Sequence, residues 1–140
     1  MKINQVNINV NTDACLDLEY INEVIVNISS RIILADGQVS LSFINDVDML
    51  KLNSDYRSIN KTTDVLTFCI DDEDILGDIY ISPDTVQKNA IENNIEFKEE
   101  LSRVIAHAFA HLVGYDHETD EEYHIMHDYE DFLLTRYETI

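Results

Sequence analysis

Three histidines lie within eleven residues of the sequence, in the segment HAFAHLVGYDH. His107 and His111 are four residues apart, a spacing that puts both on one face of an α-helix, about 6 Å apart along the axis. Gly114 follows, and glycine readily takes the left-handed conformation that ends a helix and turns the chain. His117 can then approach the other two, so the three imidazoles are predicted to bind one metal ion.

The donor set indicates the metal and its role. Neutral imidazoles suit zinc, and three protein ligands leave a fourth tetrahedral position free, as in catalytic rather than structural zinc sites. We therefore expect one Zn²⁺ per chain. Two other interpretations remain open: unrelated polar residues at a helix end, where the dipole favours cations, or a purely structural metal. The pattern H-x3-H-x2-G-x2-H fixes four positions together, which favours the catalytic interpretation.

Position 108 is where the helix of a zinc protease carries its catalytic glutamate, and here it is Ala108. Zinc can polarise a phosphoryl oxygen and lower the pKa of water to about 7, so phosphodiester cleavage does not require that glutamate. If a protein base is needed, Asp116 and Glu118 flank His117, and the sequence does not rank them. The missing glutamate disfavours one alternative, a zinc hydrolase of peptides or small amides.

The net charge of −19 by itself argues against a nucleic-acid partner, because phosphate binding needs clustered basic side chains. However, Lys51, Arg57 and Lys61, three of only nine basic side chains, lie within eleven residues. An arginine offers a phosphate a permanently charged, bidentate contact. A small basic site on an acidic surface is therefore predicted.

Length and composition predict one domain over residues 1–140, with 45% hydrophobic residues and a single proline. No signal peptide is visible, and no apolar run approaches the roughly 18 residues that a membrane span needs. Cys15 and Cys69 lie far apart in the sequence and are expected to be reduced thiols. Together these features predict a cytoplasmic protein without a membrane segment.

Hydrophobic periodicity predicts the elements that position these residues. Alternation predicts strands over 5–10 and 38–45, and β-branched and aromatic residues predict two more over 63–70 and 76–82. Further helices are predicted after the capping residue types Thr12 and Asp13 (through Ile28), after Asn45 or Asp46 (a short helix through Leu52), from Pro83 (through Ala90), over 97–114 and over 119–136. The fold class is α+β: a single mixed β-sheet covered by helices, with the metal site at the C-terminal end of the long fourth helix.

The last predicted helix carries two further histidines, His124 and His127, which could in principle hold a second ion. Their acidic neighbours are typical of a solvated helix face, so the surface interpretation is preferred. These neighbours are Glu121, Glu122, Asp128 and Glu130.

Three ordered segments resemble the YbeY family, bacterial metal-dependent endoribonucleases of ribosomal RNA maturation. HAFAHLVGYDH is similar to the family's H-G-x-L-H-L-x-G-Y-D-H, and LNSDYRSINKTTDVLTF (52–68) to L-N-x-x-Y-R-x-K-D-x-P-T-D-V-L-S-F. LGDIYIS (76–82) resembles L-G-D-I-x-I-S. The chain departs from these patterns at Ala108, Ala110, Thr62 and Cys69. The resemblance covers residues 37–120, and three ordered motifs are far more specific than one.

The resemblance implies an activity and roles for particular residues. It implies a zinc-dependent endoribonuclease acting in ribosomal RNA maturation and ribosome quality control, with RNA, within ribosomal particles, as its partner. His107, His111 and His117 would be the zinc ligands and Arg57 the catalytic or substrate-orienting residue. Lys51 and Lys61 are predicted to bind substrate. A non-enzymatic, ribosome-associated metal-binding protein is a further alternative.

Overall fold

The structure, a computed structural model, describes residues 3–32, 37–72 and 74–135. Nine elements follow one another along these residues: β1 (Ile3–Asn11), α1 (Leu18–Arg31), β2 (Gly37–Ile44), α2 (Asp46–Arg57), β3 (Val65–Asp72), β4 (Ile75–Ile81), α3 (Pro83–Glu92), α4 (Phe97–Leu112) and α5 (Asp120–Leu134).

The four strands form one mixed sheet in the order β1-β2-β4-β3. Strands β1, β2 and β4 are parallel, whereas β3 pairs antiparallel with β4 at the sheet edge. The predicted α+β class with a single mixed sheet is thus confirmed. Only two residues separate β3 from β4, whereas α1 lies between the parallel neighbours β1 and β2, as expected because parallel strands need a longer connection than antiparallel ones.

The two faces of the sheet are covered unequally. One face packs against α1, α3, α4 and α5 and forms the large core, to which the strands contribute alternate residues such as Val39, Leu41 and Phe43. The opposite face and α2 form a second, smaller cluster, built on Ile44 of β2, Met49 of α2 and Leu66 of β3. The period-two alternation of side chains across a strand explains this division.

The predicted start of α1 and the predicted end of α2 need correction. Helix α1 begins after Asp17, whose carboxylate accepts from the Tyr20 amide at 3.1 Å, and not after Thr12 or Asp13. Thr12 instead donates to Asn45 Oδ1 at 2.7 Å, a contact between residues far apart in sequence. Helix α2 runs to Arg57, further than the short helix predicted. Helix α5 ends at Leu134, and residue 136 of its predicted range lies outside the described residues.

Gly77 on β4 lies where a side chain of α4 and the backbone of β3 come close to the strand. A Cβ atom there would lie 2.3 Å from the Phe68 carbonyl oxygen and 2.5 Å from a methyl carbon of Leu112. Only a residue without a side chain fits between these atoms.

Among the described residues, no helix is long and apolar enough to cross a membrane.

Candidate metal and nucleic-acid site

Helix α4 buries an apolar stripe in the core and leaves His107 and His111 on a partly exposed side. The residues that the sequence predicted for its apolar stripe, Leu101, Ile105, Ala108 and Leu112, are all buried. The two histidines are only partly buried and lie together at the C-terminal end of the helix. Ala108 is fully buried in the core and does not line the surface that they form.

The predicted helix stop at Gly114 is confirmed. Its φ of 104° lies in the region that side chains strongly disfavour, and no heavy atom lies within 4 Å of a Cβ built there. The Gly114 amide donates to the His111 carbonyl and the Tyr115 amide to the Ala110 carbonyl, each at 3.1 Å. These bonds satisfy carbonyls at the helix end and turn the chain back towards the histidines.

Four of the predicted site residues line a single cleft of about 570 Å³. They are Arg57 from the end of α2, both helix histidines and His117 beyond the glycine turn. Asp116 and Glu118, the two candidate bases, line it as well, and β3 supplies the opposite wall through Val65, Leu66, Thr67 and Phe68. Lys51 and Lys61 are exposed and are not among the lining residues.

His107 is held by a residue that the sequence did not single out. Its Nδ1 lies 2.9 Å from Oε2 of Glu130 on α5. Glu130 is only 5% exposed, so its interpretation as part of a solvated face is wrong. Arg103 approaches the other carboxylate oxygen at 3.4 Å and so pairs this buried charge. The available sequence signal was helical spacing, since Glu130 lies four residues after buried Met126 and three before buried Leu133.

His111 is oriented by the backbone of the turn. Its Nδ1 lies 3.0 Å from the carbonyl oxygen of Tyr115, which can only accept, so Nδ1 carries the hydrogen. By the same logic the Glu130 carboxylate fixes the tautomer of His107. Each ring therefore keeps its Nε2 lone pair free, as a metal ligand requires. This donor set, with partners behind two of three imidazoles, fits zinc.

His117 is exposed and less constrained. Its ring centroid lies 5.5 Å from that of His107, and its backbone amide donates to Asp116 Oδ1 at 2.8 Å. The ligand atoms of the three predicted histidines are not gathered within 4.8 Å of one another. Across the described ranges, the set of three that meets this distance is His127, Asp128 and Asp131.

That second set has the character of an exposed helix face. The His127 and Asp131 side chains are 45% and 52% exposed, and they are 3.5 Å apart, one helical turn from each other. Asp131 is already engaged by Arg103 at 2.7 Å. Exposed acidic groups of this kind commonly occur without an ion. The interpretation of His127 and its exposed neighbours as solvated surface, not a second metal site, is therefore still preferred.

Arg57 is positioned by the segment that follows it. The helix ends at Ser58, which has a φ of 55°, and the Ile59 amide donates to the Asn53 carbonyl at 3.2 Å. The side-chain amide of Asn53, itself 3% exposed, donates to the Lys61 carbonyl at 2.8 Å. Asn53 therefore ties both ends of this loop to α2, a role that sequence reasoning missed.

The family model described as Endoribonuclease YbeY matches residues 2–138. The chain belongs to the YbeY family. It is 38% identical over 121 residues to the Endoribonuclease YbeY of Desulforamulus reducens, covering 79% of each chain. It is also 38% identical over 108 residues to that of Clostridioides difficile, covering 71% of each. The predicted resemblance is thus confirmed, and the chain is a member of a nuclease family.

A solved structure shares the fold of this YbeY-family chain. The solution structure of TM1509 from Thermotoga maritima superposes with a TM-score of 0.62 at 28% sequence identity. The match covers 91% of this chain and 88% of that one. The similarity therefore extends over most of the chain and is not confined to the histidine motif.

Proposed function

We propose that this chain, a single domain over residues 1–140, is a zinc-dependent endoribonuclease that cuts single-stranded segments of ribosomal RNA in the cytoplasm. It would act in ribosomal RNA maturation and ribosome quality control, on RNA held in ribosomal particles. The observation that carries the proposal is the shared cleft, which unites Arg57 with His107, His111 and His117. Family membership supports the reaction class.

The three histidines are proposed to hold one zinc ion. When bound, zinc supplies Lewis-acid polarisation of a phosphoryl oxygen and activation of water. Glu130 and the Tyr115 carbonyl hold two of the imidazoles in the required tautomer and orientation. Such partners behind the ligands typically raise metal affinity by about 10–100-fold.

Arg57 supplies the contact to the phosphate. Its guanidinium is always charged and can bind two phosphate oxygens at once, which stabilises the additional negative charge of the transition state. Val65, Leu66 and Phe68 of β3 line the same cleft, which leaves the exposed Arg57 accessible to a phosphate bound there.

The decisive experiment measures metal content and cleavage on the same preparations. We expect about one zinc per purified chain and cleavage of single-stranded RNA in preference to duplex RNA. His111→Ala should lose both the metal and the activity, whereas Arg57→Ala should keep the metal and lose the activity. His124→Ala is the matched control because His124 is exposed on α5 and does not line the cleft, and it should lose neither.

Three outcomes would contradict the proposal. Full zinc occupancy in His111→Ala would show that the three histidines do not form the zinc site. Metal binding with no cleavage of any RNA would favour the non-enzymatic alternative. Hydrolysis of peptides but not RNA would favour the peptide or amide hydrolase.

A further inference from the structure

Tyr56, the residue before Arg57 on α2, is 69% exposed. Its ring is not isolated, because it meets the ring of Phe68 at a centroid distance of 5.5 Å and an interplanar angle of 69°. Phe68 in turn meets Tyr80 at 5.9 Å and 78°. These three residues, here named the aromatic row, run from the small α2-facing cluster to the surface.

The aromatic row is continuous with the cleft. Phe68 lines the cleft together with Arg57, whereas Tyr56, which is not itself a lining residue, contacts the Phe68 ring and directly precedes Arg57, the residue that is proposed to hold a phosphate. Because the Tyr56 and Phe68 rings meet edge to face, they do not cover each other by stacking. Most of the Tyr56 ring therefore remains open to a planar ligand.

The charge of the protein favours an uncharged contact to RNA. The chain has a net charge of −19 and therefore few lysines and arginines with which to bind a polyanion. Among the described residues, Arg57 is the only lysine or arginine that lines the cleft. Phosphate contacts alone would give weak binding. Base–aromatic stacking adds affinity without charge and tolerates any base, because every base has a π-face.

We propose that Tyr56, supported by Phe68, is a stacking platform for an unpaired nucleobase of single-stranded RNA. The inference rests on the proposed function, since the phosphate on Arg57 and the base on Tyr56 would belong to the same strand. The platform also selects for single strands. A base in a duplex is already stacked on its neighbours, and the cost of unstacking it opposes its transfer to the protein.

The chain contains no tryptophan, so Tyr56→Trp installs a single indole at the proposed platform. The full-length variant is mixed with a single-stranded oligoribonucleotide by stopped flow, and the fluorescence is measured before appreciable cleavage has occurred. We expect strong quenching of the indole fluorescence, less quenching with an oligonucleotide of abasic residues, and little with duplex RNA. Ile91→Trp is the matched control because Ile91 is also 69% exposed but lies on α3, none of whose residues lines the cleft, and it should show no quenching.

Binding of a labelled oligonucleotide, measured by anisotropy, provides a second test. Tyr56→Phe should bind as the wild type does, and Tyr56→Ala should bind at least about 5-fold more weakly, the low end of the measured range for one stacked base. The platform is refuted if anisotropy shows binding while Tyr56→Trp is not quenched, or if Tyr56→Ala binds normally. Neither measurement requires cleavage, so a protein that stacks bases without cutting RNA refutes the proposed function alone.

Discussion

The Nδ1 atom of His107 on α4 lies 2.9 Å from the carboxylate of Glu130 on α5. This contact joins two helices and reserves the Nε2 atom of His107 for a ligand. It also explains why an acidic residue is buried in α5, since its two oxygens are divided between an imidazole and Arg103.

Glu130→Gln should weaken zinc binding by about 10–100-fold without unfolding the protein, because the amide still accepts a hydrogen bond but no longer carries a charge. Competition with a zinc chelator measures the change. Asp131→Asn is the control: it also contacts Arg103 but not His107, and it should bind zinc normally. If Asp131→Asn loses more zinc than Glu130→Gln, the ion binds the exposed α5 set instead.

Gly114→Ala should destabilise the protein by about 1–3 kcal/mol through backbone strain alone, because a Cβ at this position meets no heavy atom within 4 Å. The turn that returns His117 should shift, so zinc affinity should fall as well. Urea denaturation and chelator competition measure the two effects. Gly114→Asn should be milder, since asparagine tolerates positive φ better than alanine. Equal stability of the wild type and the alanine variant would show that the turn adapts freely.

Asn53→Ala should lower the free energy of unfolding by about 1–3 kcal/mol, through loss of the hydrogen bond to the Lys61 carbonyl and of buried packing. It should also reduce kcat more than it raises KM, because Arg57 begins the loop that this bond holds. Thr62→Ala removes only a long, exposed 3.4 Å bond in the same loop and should change stability by less than about 0.5 kcal/mol. If Asn53→Ala keeps the wild-type kcat, the hydrogen bond to the Lys61 carbonyl does not position Arg57.

Partial burial acts to raise the pKa of Asp46, but hydrogen bonds from Ser82, Thr85 and Thr62 outweigh it and hold the pKa below its usual value of 3.8. A lowered folded-state pKa stabilises the fold above 3.8, and this contribution is lost as the pH falls through the lower value. The stability difference between wild type and Asp46→Asn should therefore be constant near neutrality and shrink below about pH 4. Urea denaturation from pH 7 to pH 3 measures it. A stability difference that grows as the pH falls would show that folding raises the pKa of Asp46 instead of lowering it.

Salt dependence can decide whether Lys51 and Lys61 bind substrate, as predicted. Three phosphate contacts to a single strand give a slope of log K against log salt of roughly −2, whereas Arg57 alone gives about −0.7. Lys51→Ala should flatten the slope by about 0.7 if the prediction holds. Arg57→Ala should instead lose at least about 100-fold in turnover, because its charge is directed at the transition state. A wild-type slope near −6 would indicate a basic surface outside the cleft.

The sequence predicted those features that depend on local spacing. The helix through His107 and His111, its end at Gly114 and the alternation of β2 are each contained within a short segment, and the structure confirms all three. Glu130 and Asn53 were missed because each acts on a residue brought close by tertiary folding or by a loop. In the sequence, Glu130 looks like any other solvated carboxylate of an acidic helix. Only the helical spacing from its buried neighbours distinguishes it.

The absence of a side chain at Gly77 has a consequence for how the cleft tolerates sequence change. The Gly77 position lies against both the Phe68 carbonyl of β3 and a Leu112 methyl group of α4, so a Cβ there would meet both. A rotamer change of Leu112 can relieve the second contact, but the first is with main chain and requires β3 and β4 to shift. Because β3 also lines the cleft, Gly77→Ala should lower the melting temperature and displace the cleft wall together.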